Sequence, residues 1–149
     1  MTPDEDPSTL YRFFTEVGII DQLISTKLES FLPGRMTSTQ FGMLGHLARR
    51  PEGETPLQLA RAFQVPKTSM THMIAGLEAA QLISLRPHAS DKRSKVVQIT
   101  PQGGAFLGEK MQQIGASLAP LVADLGLSPF ADALPHLERI RTALDADRD

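Results

Sequence analysis

The sequence predicts a mostly α fold with one small β-hairpin, an α+β arrangement in 149 residues. Three observations carry that expectation. Apolar side chains recur at spacings of three and four along most of the chain, the period of a helix packed on one face. Two strand-like runs, β-branched in part, Leu82–Arg86 and Lys95–Ile99, flank one polar turn and read as paired strands. The length suits a single domain, and 41% hydrophobic with 21% charged residues is ordinary globular composition. Aromatic residues are 5% and Trp is absent, so the core must be aliphatic.

The first helix is expected from Ser8 to Leu32. Leu10, Phe13, Phe14, Val17, Ile20, Ile24, Leu28 and Phe31 line one face, and Pro33-Gly34 ends it. That face is wider than the edge of a small domain needs, so it suits either a core or a second subunit. Thr37-Ser38-Thr39-Gln40 has the form of a capping box. The helix it opens buries Phe41, Leu44, Leu47 and Ala48 and stops at Arg50-Pro51, before a loop Pro51–Glu54. Thr55-Pro56-Leu57-Gln58 repeats the start signal with Pro at the first helical position, where its missing N–H is harmless. A short helix to Phe63 follows, then a turn at Gln64-Val65-Pro66.

From Lys67 to Glu78, Met70, Met73, Ile74 and Leu77 form one stripe and leave Lys67, Thr68, Ser69, Thr71 and His72 on the other side. A helix start with hydroxyls and cations, and no acid before Glu78, is unusual for a merely solvated face. Gly76 inside it costs about 1 kcal/mol relative to Ala, which marks a close approach. The hairpin follows, its tip running from Pro87 to Ser94. Thr100-Pro101 opens a helix expected to reach Leu125, and Ser128-Pro129 opens a last one through Leu144. Pro120 and Pro135 are expected to bend these two.

The net charge of −2 is unevenly placed. Residues 55–100 hold Arg61, Lys67, Arg86, Lys92, Arg93 and Lys95 against Glu78 and Asp91, a net +4, which leaves −6 for the rest. A basic middle between acidic ends points to a polyanion partner. The chain has no cysteine, which excludes disulfides, thiol nucleophiles and thiolate metal sites and suits the cytoplasm. Asp4, Glu5 and Asp6 oppose a signal-peptide reading of the start, and no apolar run approaches the roughly 20 residues that span a bilayer. His46, His72, His88 and His136 stand apart without helical i, i+4 spacing, so no metal is expected. No nucleophile elbow, phosphate loop or metalloprotease motif occurs, so no cofactor and no catalysis are expected.

Helix, turn, helix and basic-tipped hairpin together form a winged helix-turn-helix. The second helix fits a major groove, and an arginine on the hairpin tip suits the negative potential of a neighbouring minor groove. The residues match a family as well as a layout. Leu57-Gln58-Leu59-Ala60, Lys67–Thr71, Leu77-Glu78, Leu82-Ile83, Asp91-Lys92-Arg93-Ser94-Lys95 and Ile99-Thr100-Pro101-Gln102-Gly103 closely resemble the MarR family of bacterial transcription regulators. The likeness runs motif by motif from Thr37 to Gly103 and extends over both flanks in helix layout. The Asp91–Ser94 tip is its most specific part.

The resemblance implies one MarR-like domain over residues 1–149. Its DNA-binding lobe would lie at 37–100, with dimerisation helices at 8–32 and 101–146. It implies a cytoplasmic homodimer that binds double-stranded DNA at a pseudo-palindromic operator, represses, and lets go when a small aromatic or phenolic effector enters. Thr68, Ser69, Thr71 and His72 would face the major groove, with Lys67 near phosphate. Arg93 would enter the minor groove, oriented by Asp91 through a charge-assisted pair. Arg86, Lys92 and Lys95 would contact phosphates or brace the wing. Phe14, Met43 and His46 are the candidates for effector contact, against the simpler reading of each as packing.

Two residues depart from the family pattern. Pro66 stands where a capping Ser is common, which leaves the helix amides open to a phosphate. His72 stands where Arg is frequent, which weakens a bidentate guanine contact and leaves base preference open. Both keep open a second reading, a winged module for protein interaction without DNA binding.

Overall fold

The computed structural model describes residues 6–91 and 93–148. Among these the elements run α1 (Pro7–Glu29), α2 (Ser38–Ala48), α3 (Pro56–Phe63), α4 (Lys67–Ala79), β1 (Ile83–Pro87), β2 (Lys95–Ile99), α5 (Pro101–Ser117), α6 (Ala119–Leu125) and α7 (Ser128–Ala146). The chain divides into two compact units, Met1–Ile114 and Gly115–Asp149.

In the first unit the helix starts are built as their four-residue spacings require. Thr37 and Thr55 each accept the amide three residues on, while Gln40 and Gln58 reach back to the cap amide. Each box satisfies two amides that a helix leaves unpaired. Asp6 caps α1, and the Ser8 hydroxyl and then the Ser8 amide hold its carboxyl below the usual range. Glu29 at the end of α1 accepts the Ser38 amide at 2.8 Å, fixing α1 to the start of α2.

The core of this unit comes from three helices and the hairpin. Met43, Leu44 and Leu47 of α2, Leu59 of α3, Met70 and Leu77 of α4 and Val97 of β2 have no exposed surface. Each such side chain contributes about 1.5–3 kcal/mol by leaving water. α3 ends where Gln64 takes a left-handed φ of 52° and donates to the Ala60 and Arg61 carbonyls. Three residues later α4 has begun, so the α3–α4 pair is a tight helix-turn-helix. Gly76 sits where an added Cβ would lie 2.9 Å from Nε2 of Gln40. Gln40 itself donates to the Met73 carbonyl, so α2 and α4 do meet closely there.

β1 and β2 pair antiparallel with Leu85 opposite Val97 and Arg86 opposite Val96. β1 starts at Ile83, one residue later than expected, because the Leu82 amide closes the end of α4 on the Leu77 carbonyl. The loop before α3 contributes a partner that the sequence did not reveal: Glu54 bridges Val97 through both backbone hydrogen bonds.

The expectation of one bent helix from Pro101 to Leu125 is corrected. α5 stops at Ser117, Leu118 flattens to ψ −4°, and α6 starts afresh with Pro120 in its first turn. Proline lacks the donor for the preceding turn and crowds the residue before it, so a break is cheaper than a bend. α7, in the second unit, runs on through Pro135.

Candidate nucleic-acid interface

α4 is held by its apolar stripe. Met70, Ile74 and Leu77 are buried, which turns Lys67, Thr68, Ser69, Thr71 and His72 outward, all exposed. Pro66 occupies the cap with extended backbone, and no side chain caps the helix there. The first amides of α4 therefore point outward beside Lys67, with the partial positive charge of a helix start. Thr71 donates its hydroxyl to the Lys67 carbonyl at 3.0 Å, which leaves the oxygen as an acceptor toward solvent.

The wing tip is built from short local bonds. His88 donates its amide to the Ser94 carbonyl, and Ser94 donates to the Asp91 carbonyl. Asp91 accepts the Arg93 amide at 3.0 Å, whereas its contact with the guanidinium is a longer 3.5 Å. Asp91 thus shapes the turn through the backbone first and steers the guanidinium weakly. Arg93 is left 94% exposed beyond that contact. Arg86 and Lys95 are also exposed on the strands. Lys92 lies outside the described residues.

Lys67, Thr71, Arg93 and Lys95 share the lining of one concavity of about 540 Å³ between α4 and the wing, with Leu57, Leu85 and Glu78. Four of the expected DNA-contact residues are thereby brought to one place. His72 is on the other flank of α4, on a cavity of about 680 Å³ with Arg35, Met36, Gln40 and Met73. Thr68, Ser69 and Arg86 line neither of these two cavities.

The three effector candidates do not converge. Phe14 is half-exposed on α1 and meets Phe13 edge-on at 5.2 Å. Met43 is wholly buried in the core of the lobe, with no surface to offer a ligand. The His46 ring is edge-on to Phe63, and its Nε2 lies 2.9 Å from the Glu54 carboxylate. Among the described residues no group of three or more His, Asp or Glu side chains is placed to hold a metal ion. Glu54 is the residue that sequence reasoning missed. Its available signal was the Arg50–Glu54 spacing of four residues across the Pro51–Gly53 turn.

A family model described as the MarR family matches residues 36–94, from the residue before the α2 cap to the wing tip. Over that stretch the winged lobe is similar to the MarR family. Solved structures of similar fold extend past the lobe. BldR from Sulfolobus solfataricus, a transcriptional regulator, is 18% identical with a TM-score of 0.75 over 96% of this chain and 99% of that one. Wild-type MarR from E. coli is 23% identical with a TM-score of 0.71 over 85% and 94%. A Staphylococcus aureus MepR variant bound to an oligodeoxyribonucleotide is 24% identical with a TM-score of 0.58 over 93% and 98%. This chain therefore has a MarR-type winged fold. No helix among its described residues is long and apolar enough to cross a membrane.

Proposed function

We infer that the chain is a homodimeric transcription regulator that binds double-stranded DNA through α4 and the wing. The observation that carries the reading is the single concavity lined by Lys67, Thr71, Arg93 and Lys95, which places the start of α4 and the wing arginine on one basic face. A duplex offers a row of phosphates to such a face, a major groove to the exposed hydroxyls of Thr68, Ser69 and Thr71, and a minor groove to Arg93. Arg86, Lys95 and Lys92 serve the phosphates, and His72 reads from the flank of α4. The DNA-bound MepR structure is of a protein with this fold, which supports the same use here.

Dimerisation is supported by the helices outside the lobe. α1 buries none of its residues, and Leu10, Ile20 and Leu23 are each more than 60% exposed. α7 likewise leaves Phe130, Leu134, Leu137 and Leu144 in water. Stripes of that size on helices of 23 and 19 residues are interaction surfaces, and a second copy supplies matching ones. Residues 8–32 and 101–146 are accordingly the dimerisation helices around a lobe at 37–100.

The complex represses by occupying a pseudo-palindromic operator in the cytoplasm, and a small aromatic or phenolic effector releases it. With Met43 buried and His46 engaged by Glu54, Phe14 is the effector candidate that retains free surface.

The test is selection of duplexes from a random-sequence library by the purified full chain, followed by footprinting and mass measurement. A dimer on inverted half-sites about one helical turn, roughly 34–36 Å, apart on one DNA face is the expected result. A monomer, or footprints on opposite faces, contradicts the reading. Loss of the complex on adding a panel of phenols and aromatic acids tests the effector, and Phe14→Ala should blunt that loss.

A further inference from the structure

Glu54 joins two parts of the lobe that the DNA-binding reading requires to move together. Its side chain is 17% exposed and its carboxylate takes one donor on each oxygen. His46 Nε2 lies 2.9 Å from Oε2, and Arg50 Nε lies 2.9 Å from Oε1. Arg50 also donates Nη1 to the His46 carbonyl, so the carboxylate closes the C-terminal end of α2.

The backbone of the same residue belongs to the wing. The Glu54 amide donates to the Val97 carbonyl at 3.0 Å, and the Val97 amide donates back at 2.7 Å. Gln98 adds bonds from Nε2 to the Pro51 and Glu52 carbonyls. Gly53 makes the approach possible: its φ is +81°, and a Cβ there would come within 2.5 Å of the Val97 carbonyl oxygen. Val97 is buried, and β2 runs from it through Lys95 directly back to Ser94 and Arg93.

α2 in turn packs against α4 through the Gln40–Met73 bond and the Met43, Leu44 and Leu47 core. A chain of contacts therefore leads from the reading helix, through α2 and the Glu54 carboxylate, to the base of the wing. A rigid duplex presents its major and minor grooves at a fixed offset. A wing already held at the matching angle loses less freedom on binding than a loose one.

We propose that Glu54 is a positioning residue for DNA binding. Its carboxylate, clamped by His46 and Arg50, sets the wing relative to α4 so that Arg93 and the α4 hydroxyls engage one duplex together. The proposal rests on the DNA-binding reading above, and it gives His46 a structural partner in that reading.

The experiment is a double-mutant cycle in the full chain, with a duplex selected from a random-sequence library as the probe. Glu54→Ala should weaken binding about tenfold, with the thermal midpoint read in parallel, whereas in an Arg93→Ala background the same change should weaken it less than about twofold further. Hydroxyl-radical protection should disappear in the minor groove beside the half-site and persist where α4 sits. Glu54→Gln, which keeps the shape and the acceptor for Arg50, should recover part of the affinity and of the minor-groove protection.

Should Glu54→Ala fail to fold, Glu54→Gln and Glu54→Asp carry the same cycle. Additive losses in the cycle, protection lost over α4 as well, or unchanged affinity would each overturn the proposal. Unchanged affinity in Arg93→Ala alone overturns the DNA role of the wing itself, and is distinguished by needing no change at Glu54.

Discussion

Arg93→Ala removes a side chain that is 94% exposed and whose polar contact among the described residues is a 3.5 Å pairing with Asp91. An exposed pair of this kind contributes about 0–1 kcal/mol to stability. The turn it sits in survives, because Asp91 accepts the Arg93 backbone amide at 3.0 Å and not only the guanidinium. Folding should therefore change by less than about 0.5 kcal/mol, the usual range for an exposed surface substitution. DNA binding should change by far more. A groove-reading arginine is worth about 1–3 kcal/mol, and a dimer presents two wings, so about 2–6 kcal/mol is at stake for the complex if the sites add. The assay is fluorescence anisotropy with a selected duplex at one fixed salt concentration, alongside a denaturation curve and a mass measurement. A weakened complex with an intact dimer and an unmoved denaturation midpoint is expected. An unchanged affinity would refute the wing assignment, and a matching loss of stability would mean that Arg93 serves the fold instead.

Other substitutions test the scaffold. Gly103→Ala would place a Cβ 2.1 Å from the Leu82 carbonyl oxygen, where α5 begins against the base of the hairpin. Backbone must shift to relieve it, so a destabilisation of about 1–3 kcal/mol is expected from denaturant midpoints, in line with other overpacking changes. Thr55→Ala removes the hydroxyl that accepts the Gln58 amide in the α3 capping box and should lower stability by about 1 kcal/mol. A Thr55→Ser variant, which keeps the acceptor, should recover most of that loss.

What the sequence disclosed and what it withheld divide by range. The capping boxes at Thr37 and Thr55 are legible because each is a bond between residues three apart, written in the order of side chains. The outward set on α4 was legible for the same reason, since burying Met70, Ile74 and Leu77 fixes where Lys67, Thr68 and Thr71 must point. The Glu54–Val97 bridge was not legible, because its two residues lie 43 apart and the local Arg50–Glu54 spacing announces only the ion pair. The same long-range pairing gives His46 its neighbour, which the α2 pattern alone left ambiguous between packing and a ligand. At Leu118 the failure was one of degree. Pro120 was seen, but whether a proline bends a helix or ends it depends on whether the next turn gains by restarting. At the wing, the pairing of Asp91 with Arg93 was foreseen as a charge contact, yet the shorter bond is to the backbone amide. Turn chemistry there competes with, and comes before, the side-chain pair.

The measurement that bears most directly on DNA binding is the salt dependence of affinity for the selected duplex. Three described cations per subunit, Lys67, Arg86 and Lys95, are exposed, and in the proposed complex they are assigned to phosphates, six in a dimer. Counterion release then predicts a slope of log affinity against log salt near about −5, at roughly −0.9 per phosphate neutralised. A slope close to zero, with the chain instead binding a protein partner regardless of salt, would contradict the account and leave the wing as a module for protein contact.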